Sequence, residues 1–561
     1  MAPNADRPAG APPAVPSPPV RAADADTDVV VVGGGPVGLL LAGELRRCGA
    51  EVTVLEQRAA PREESRATTL HARTMEILAS RGLASFLDGA AADTAAGTGA
   101  GGEDAFRTLP RLGHGHFGGI RLDLSLPGPY SGQWKLPQPR TEALLRRWAL
   151  ALGARLLAGH TLRRLTDHGD AVTAEADGPA GALRLRAHYL VGCDGEDSTV
   201  RRLVGIPFEG TPTRRELLAA DVAGLAIRDR RFEVGPHGLA VAAGNGAGPT
   251  RVMVHAFDRP VRRRGGVAPD FAEVADVWRR VTGEDITAGT PVWTHAFGDA
   301  CRQAATYRKG RVLLAGDAAH QQLPVGGQAL NLGLHDAVNL GWKLARTVIG
   351  PAPDALLDSY HEERHAAGRR TQDSVRTQML LLLGGPRAEA PRAVLSELIA
   401  REPGARRHFA RLVSGLDVRY GDDPDAAARD PWVGAAFPHL PLTLADGTGV
   451  TGAPLRAGRG TLLLLAGAGA GGRAGGGVGA CGWAERAGPW ADRVDVVTAR
   501  PGPAAAPGVA EAAAFLIRPD GHVAWAGDAP STALADALLR WFGTPAAAPG
   551  GTRPASSEEF L

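Results

Sequence analysis

Four cysteines in 561 residues, Cys48, Cys193, Cys301 and Cys481, are too few and too scattered for a disulfide framework. With no C-x-x-C among them they offer neither a thiolate zinc site nor a redox dithiol, and a reducing, cytoplasmic setting fits them. Charge of one sign is also missing. The 62 Lys+Arg and 60 Asp+Glu leave a net +2, so bulk electrostatics favour neither nucleic acid nor an acidic membrane surface as a partner. No apolar run approaches the roughly 20 residues of a membrane span, and the Pro/Ala-rich stretch 1–27 holds no signal-peptide core and reads as a disordered tail. Aromatic residues make up only 5% of the chain, whereas glycine is abundant at 75. The length corresponds to about three or four domains.

Asp28 to Val32 is a short β-branched run that ends in Gly33, Gly34 and Gly35, and the helical pattern Val37 to Cys48 follows. Glu51 to Leu55 returns to alternation, completing a strand, glycine turn, helix, strand unit and implying an α/β fold with a parallel sheet. Further glycine-ended apolar runs, Tyr189 to Gly192 and Arg311 to Gly316, each lead into an acidic residue, Asp194 and Asp317. Arg214 to Ala226 and Thr250 to Asp258 alternate as antiparallel strands of a second, inserted sheet, while Leu334 to Ile349 and Asp354 to Arg370 read as helices. Pro424 to Pro441 looks like a linker and Ala466 to Gly479 like a low-complexity loop; beyond them Leu462 to Leu465, Val494 to Val497 and Ala513 to Ile517 suggest a small terminal α/β unit.

Gly33-Gly34-Gly35-Pro36-Val37-Gly38 satisfies G-x-G-x-x-G in the right setting. Glycines let the backbone approach a pyrophosphate, and the free N–H groups of the helix start meet its charge. Glu56 closes the second strand roughly 20 residues on, where a carboxylate accepts ribose hydroxyls; Gln57 and Arg58 adjoin it. A turn that merely packs a helix on a strand is the bland alternative, outweighed because the whole unit is present. On these residues alone, FAD and NAD(H) both remain open.

The stretch Arg311 to His320, continuing through Pro324, Gly326-Gly327-Gln328, Asn331 and Asp336 to Leu344, closely resembles class A flavoprotein monooxygenases, in the aromatic polyketide and phenol-hydroxylase-like branch. The resemblance implies that Gly316 and Asp317 bind the flavin ribityl chain, and that Pro324, Gly326, Gly327 and Asn331 form a loop along the flavin ring. Val191 to Gly195, with Ser198, Val200 and Arg201, resembles the family's Asp-Gly motif and assigns Asp194 to the FAD and NAD(P)H region. Alone it would pass for an ordinary turn; three motifs in family order decide otherwise. Leu70 to Glu76 and Leu136 to Glu142 also look like family segments, and with their flanks they carry over Arg66, Arg73, Gln138 and Arg140 as flavin or pyrophosphate contacts, each with an ordinary surface role as the alternative.

The family implies a Rossmann-like FAD-binding domain of the para-hydroxybenzoate hydroxylase type (28–105, 130–208 and 296–410), an inserted antiparallel-sheet substrate domain (106–129 and 209–295) and a thioredoxin-like C-terminal domain (430–545). The last lacks a C-x-x-C, so its role would be structural or in subunit packing, which leaves a homodimer open. Two departures stand out. Ala329 replaces the glycine usual in Gly-Gly-Gln-Gly, and His335 stands where Gln is common. If that glycine takes a positive φ, an alanine there would be strained.

The activity implied is an FAD-dependent NAD(P)H:O2 monooxygenase, NADPH preferred, hydroxylating a polycyclic aromatic polyketide through a C4a-hydroperoxyflavin. Baeyer–Villiger oxidation of a polyketide ketone, oxidative inactivation of an antibiotic, and a flavoprotein that only sequesters a polyketide are the alternatives. A halogenase would carry G-W-x-W-x-I-P, which is absent, and a simple dehydrogenase would leave Gly316-Asp317 unexplained. No protein nucleophile is required. His71, His114, His116, His255, His295, His320 and His335 show no H-E-x-x-H spacing, so no metal is expected. Substrate candidates by location are Phe117, Trp134, Phe257, Trp293 and Phe297, with core packing as the competing reading of each; His114 to Gly119 and Tyr130 to Lys135 are candidates for a mobile entrance.

Overall fold

The computed structural model describes residues 26–65, 67–87, 106, 108–244, 248–262, 264, 267–350, 352, 354–421, 430–455, 458–466, 478–502, 509, 512–528 and 531–545. Arg66, residues 1–25 of the expected tail and most of the expected loop at 466–479 lie outside them.

The valine run forms β1 (Thr27–Val32), which leads through the glycine turn into α1 (Pro36–Arg47) and β2 (Val52–Glu56). β1 is central: β11 (Gly181–Gly192) and β20 (Val312–Leu314) lie parallel on one side of it, β2 and β8 (Arg155–Ala158) on the other. β9 (Thr161–Asp167) and β10 (Val172–Gly178) extend the first half of β11 antiparallel, and β19 (Arg308–Lys309) pairs with the outer edge of β20. Thr27 already pairs with Ala187, and the Asp26 carboxylate accepts the Arg186 N–H at 2.9 Å. The sheet therefore begins inside the expected 1–27 tail. Deleting residues 1–25 should leave the melting temperature unchanged, whereas deletion through Val29 should lower it by several degrees in a thermal melt.

Small residues let the helices close over this sheet. A Cβ on Gly43 would lie 2.0 Å from the Trp148 ring of α3 (Gln138–Ala151). On α6 (Gln328–Ile349), a Cβ at Gly333 would lie 2.8 Å from Val37 and one at Gly341 would lie 2.5 Å from Glu44. The helix expected over Leu334 to Ile349 thus starts six residues earlier, and that expected at Asp354 to Arg370 runs on as α7 (Asp354–Leu383).

The flavin-loop neighbourhood is completed by β3 (Thr69–His71), α2 (Ala72–Ser80), β4 (Arg111–Leu112), the hairpin β5 (His114–Phe117) and β6 (Ile120–Asp123), and β7 (Gln133–Lys135), which lies between β3 and β4. The expected mobile entrance is thus a hairpin and a central strand. Trp134 is buried there, its Nε1–H donating to the Tyr130 carbonyl at 2.9 Å.

α4 (Thr199–Leu203) leads to β12 (Phe208–Thr211), which pairs with β18 (Cys301–Ala304), itself paired with β21 (His320–Gln321). The inserted antiparallel sheet has the order β14 (Arg230–Val234), β15 (Gly238–Ala243), β16 (Thr250–Ala256), β13 (Glu216–Ala223), β17 (Thr290–Gly298). Alternation sorts its two faces. Leu218, Ala220, Val252 and Val254 pack against Trp278 of α5 (Phe271–Thr282), while Leu217, Leu239, Met253 and Phe297 turn towards Leu323, Val325 and Met379.

After α8 (Glu389–Arg401) and α9 (Pro403–Ser414), the C-terminal unit forms a six-stranded sheet. Its order is β23 (Gly449–Thr451), β22 (Pro441–Leu444), β25 (Val494–Pro501), β24 (Gly460–Leu465), β26 (Ala514–Ile517), β27 (Val523–Gly527), with β24 and β25 parallel and α10 (Val478–Ala487) and α11 (Thr532–Phe542) as its helices. The described end of the expected linker is stitched to this unit by a bridge between Ala436 and His522. Trp342 on α6 packs against Trp541 and Phe542, and beneath them Arg518 is ion-paired with Glu363 and Asp520. Among the described residues no helix is long and apolar enough to cross a membrane.

Candidate functional site

The three glycine-ended runs converge because β1, β11 and β20 are adjacent and parallel, so Gly33, Cys193-Asp194 and Gly316-Asp317 emerge side by side at their carboxyl ends. Ligands of open α/β sheets bind at that edge. Gly33 has φ +109, and a Cβ on it would lie 2.3 Å from the Cys193 carbonyl oxygen; one on Gly38 would lie 2.0 Å from the Gly33 carbonyl oxygen. Both glycines are therefore demanded by backbone packing. Gly35 has nothing within 4 Å of its missing Cβ, and α1 starts with Pro36 and no side-chain cap, so no side chain of the chain satisfies its first N–H groups.

Glu56, at the end of β2, accepts the Gly34 N–H at 2.7 Å and the Arg58 N–H at 2.9 Å. Gln57 and Arg58 are exposed beside it. Gln138 donates from Nε2 to Glu142 at 2.8 Å, and Arg140 is exposed on the first turn of the same helix. Asp194 accepts the Val200 N–H at 3.0 Å through Oδ2, while its Oδ1 is buried with no partner; burial pushes the carboxyl above its usual range. Asp317 is exposed at the turn after β20.

Gly326 and Gly327, at φ +67 and +71, make the tight entry into α6, and Pro324 precedes them. Ala329 lies in the first turn of α6 and has no positive φ, so the departure from Gly-Gly-Gln-Gly carries no backbone strain. Ala329→Gly is accordingly expected to cost up to about 1 kcal/mol of helix stability and to bring no gain in FAD affinity, measurable by melting and by flavin titration. His335, the other departure, is half-buried, its Nε2 3.1 Å from the Thr74 hydroxyl.

Asn331 does not reach out of the loop. Its Oδ1 accepts the His71 N–H at 2.9 Å and the Thr74 hydroxyl at 2.6 Å, and its Nδ2 donates to the Thr69 and Gly327 carbonyls at 3.0 and 2.7 Å. The side chain is fully used in tying the glycine loop to β3, which makes Asn331 a positioning residue. Arg73 is also committed elsewhere: it is buried, with its guanidinium on Glu76 at 3.2 Å and on the Asp520 carbonyl at 3.1 Å, at the seam with the C-terminal unit.

Of the substrate candidates, Trp293 and Phe297 share one face of β17, and Phe297 joins the apolar cluster over Leu323 and Val325. Phe257 lies beside Gly385 and is not part of that cluster. Phe117 and Trp134 are core residues, 2% and 3% exposed, since each is packed on several sides by aliphatic side chains.

Asp336, part of the motif but given no role in the sequence, anchors the whole edge. Its carboxylate accepts the Gly316 N–H at 3.1 Å, His320 Nε2–H at 2.7 Å and Arg364 Nε–H at 2.7 Å, all fully buried. Burial alone would raise its pKa, but Arg364 and His320 hold it below the usual carboxylate range. Nothing in a single sequence shows that residues 20 and 28 positions apart from it meet at this carboxylate.

Burial pushes His71 and His522 down to about 4 from 6.5, while Arg518 and Lys343 hold Glu363 down to about 2 against the pull of burial. Each group binds fewer protons folded than unfolded, the histidines between pH 4 and 6.5 and Glu363 between 2 and 4.5, so stability is lost as pH falls. The melting temperature should drop steadily from pH 7 to pH 5. A flat or rising profile would contradict the neutral, buried state of these histidines.

The residues fit an adenine dinucleotide carrying a flavin: a glycine turn with open space over Gly35, a helix start without a side-chain cap, and an orphaned Asp194 oxygen suited to a hydroxyl donor. The family comparisons agree. A "FAD binding domain" model matches residues 26–375 and an "Aromatic-ring hydroxylase, C-terminal" model matches residues 430–545. A 12-dehydrotetracycline 5-monooxygenase/anhydrotetracycline 6-monooxygenase of Streptomyces rimosus is 39% identical over 558 residues, covering 92% of this chain and 99% of that one. A dialkyldecalin synthase of Streptomyces rugosporus is 36% identical over 526 residues, covering 92% and 98%. The crystal structure of CabE, an aromatic hydroxylase from angucycline biosynthesis, superposes with a TM-score of 0.81 at 43% identity, covering 93% of this chain and 100% of that one. The matches span both the glycine-cradled sheet and the C-terminal unit, and the chain belongs to the FAD-dependent aromatic-ring hydroxylases, a family of monooxygenases.

Proposed function

We propose that this monooxygenase hydroxylates a polycyclic aromatic polyketide, with NADPH as the reductant. The observation that carries the reading is the apolar face of the inserted sheet, Leu217, Leu239, Met253 and Phe297, set opposite Leu323 and Val325 of the glycine loop. Apolar side chains on the sheet and the Cβ-less Gly326–Gly327 segment of the loop are the kind of surfaces that receive a flat ring system.

In this reading Gly33, Gly35, Pro36, Val37 and Gly38 receive the FAD pyrophosphate, Glu56 the adenosine ribose, with Gln57, Arg58, Gln138 and Arg140 at its rim. Gly316 and Asp317 hold the ribityl chain, Asp194 offers its free oxygen to a ligand hydroxyl, and Pro324, Gly326 and Gly327 lie along the ring. Bound FAD, reduced by the nicotinamide, supplies the oxygen atom from dioxygen. The chain's own work is to orient the ring, exclude water with the apolar sheet face, and keep the loop in place through Asn331 and His71, whose Nε2–H donates to the Gly326 carbonyl at 2.7 Å. The parallel β24–β25 pair followed by the β26–β27 hairpin and a helix supports reading 430–545 as thioredoxin-like, clamped on α6 and α7.

The test is NADPH consumption in air by the FAD-loaded protein with a panel of polycyclic phenols. At least about tenfold stimulation with a hydroxylated product is expected; a lactone product would move the activity to Baeyer–Villiger oxidation. Asp317→Ala should lose FAD while keeping its melting temperature, and a variant retaining stoichiometric flavin would overturn the ribityl assignment. A second reading is a flavin-bearing protein that binds a polyketide without oxygenating it; one relative is named a synthase and not a monooxygenase. Ligand binding without NADPH stimulation would select it.

A further inference from the structure

Lys135 is the one cation of β7, and its partners are neutral. Its Nζ donates to the Thr69 hydroxyl at 2.8 Å and to the side-chain Oε1 of Gln133 at 3.3 Å. An ammonium has three N–H groups, so one stays unassigned. It makes no ion pair with any described residue, although it is half-buried. Buried ammonium groups are normally matched by a carboxylate.

The charged and titratable groups that feel it are all basic: His71 on β3, His116 on the β5–β6 hairpin, and Arg231 on β14. Burial holds the first two down to about 4 and Lys135 to about 8. His71 adds a second unmet demand, since its Nδ1 is buried with no partner while Nε2 is committed to the Gly326 carbonyl. This set borders the flavin loop directly: a Cβ on Gly327 would lie 3.0 Å from Thr69 Cβ and 3.4 Å from His71 Nε2. Two aromatic rings, tilted against each other, lie on the His116 side. Phe232 takes the positive φ of 53, rare for a bulky residue, and its ring centroid lies 3.9 Å from that of His116.

An unmatched, half-buried ammonium between a glycine loop and aromatic side chains suits a planar anion. We propose that Lys135 receives a planar oxyanion seated against the Gly326–Gly327 loop, either the ionised phenol or enol of the aromatic substrate or the anionic edge of the reduced flavin. The inference rests on the FAD and polycyclic-substrate reading above. An ionised phenol is the more electron-rich ring, so holding it in that form prepares the carbon to be oxygenated.

The experiment uses full-length, FAD-loaded wild type, Lys135→Met and the charge-keeping Lys135→Arg. One arm titrates each with alizarin, whose absorbance reports its ionisation, at a pH where the free dye is mostly neutral. The other measures the dissociation constant of sulfite for the flavin, which tightens with positive charge near the ring. If the substrate is the source, the wild type binds alizarin in its ionised form, Lys135→Met binds it at least tenfold more weakly, Lys135→Arg restores ionised binding, and sulfite affinity moves less than twofold. If the flavin is the source, sulfite binding weakens at least tenfold in Lys135→Met and alizarin binding does not change. If neither quantity moves in Lys135→Met, the proposal is overturned. FAD content, read from each protein's flavin absorbance, separates this outcome from failure of the underlying reading, in which the wild type itself would hold no FAD.

Discussion

Asp336→Ala should unfold more easily than any other single variant of the site and should be purified without flavin. Removing this carboxylate strands the Arg364 guanidinium, which is fully buried and whose other partners are the Tyr420 hydroxyl and the Leu332 carbonyl. Breaking a buried ion pair from one side costs about 3–5 kcal/mol, a large share of the stability of any domain. The same change frees the Gly316 N–H and the His320 ring from their acceptor. Gly316 sits at φ +64 against Val37, so the turn that presents Asp317 loses its brace as the fold weakens. Denaturant unfolding of Asp336→Ala and of Asp336→Asn separates the two effects. The amide keeps an acceptor for the Gly316 N–H but not the charge, and it should recover part of the flavin retention and little of the stability.

Asn331→Ala should act on the cofactor more than on the fold. The substitution leaves the His71 N–H, the Thr69 and Gly327 carbonyls and the Thr74 hydroxyl without their shared partner. Unmet buried groups cost roughly 1–3 kcal/mol each, and the loop can relieve them only by moving off β3. An FAD dissociation constant raised about 30-fold or more, equivalent to ~2 kcal/mol, is expected from fluorescence titration. Unchanged FAD affinity would show that the loop holds its shape without this side chain.

These two residues also mark what a single sequence reveals and what it hides. Gly33, Glu56, Asp194 and Asp317 were legible because each closes an apolar run, and parallel strands necessarily deliver their ends to one edge. The inserted sheet was legible for the same reason, through its period of two. Asn331 was found by its motif, but its role was not, because a side chain carried beside a flavin loop can as well brace the loop as touch the ring. Arg73 looked like an anion contact until the C-terminal unit, more than 400 residues away in sequence, supplied its partner. Trp134 and Phe117 had the composition of a binding wall and the burial of a core, a distinction that depends on what covers them from other elements. Ala329 carries no strain because the positive φ values fall at Gly326 and Gly327, three and two residues before it. Lys135 closes a segment that stands out for its glycine and aromatics, not for its charge: an isolated lysine in a short strand reads as a surface residue until its neighbours are seen.

The central claim is that oxygen from dioxygen reaches the ring of a polycyclic phenol held between the inserted sheet and the glycine loop. The most direct measurement is turnover of the FAD-loaded protein with NADPH and a polycyclic phenol under 18O2, followed by mass spectrometry of the product. The account predicts a new hydroxyl carrying one 18O atom, formed with consumption of one NADPH per product. A ligand that binds tightly yet returns unlabelled, or a product whose added oxygen comes from water, would contradict it.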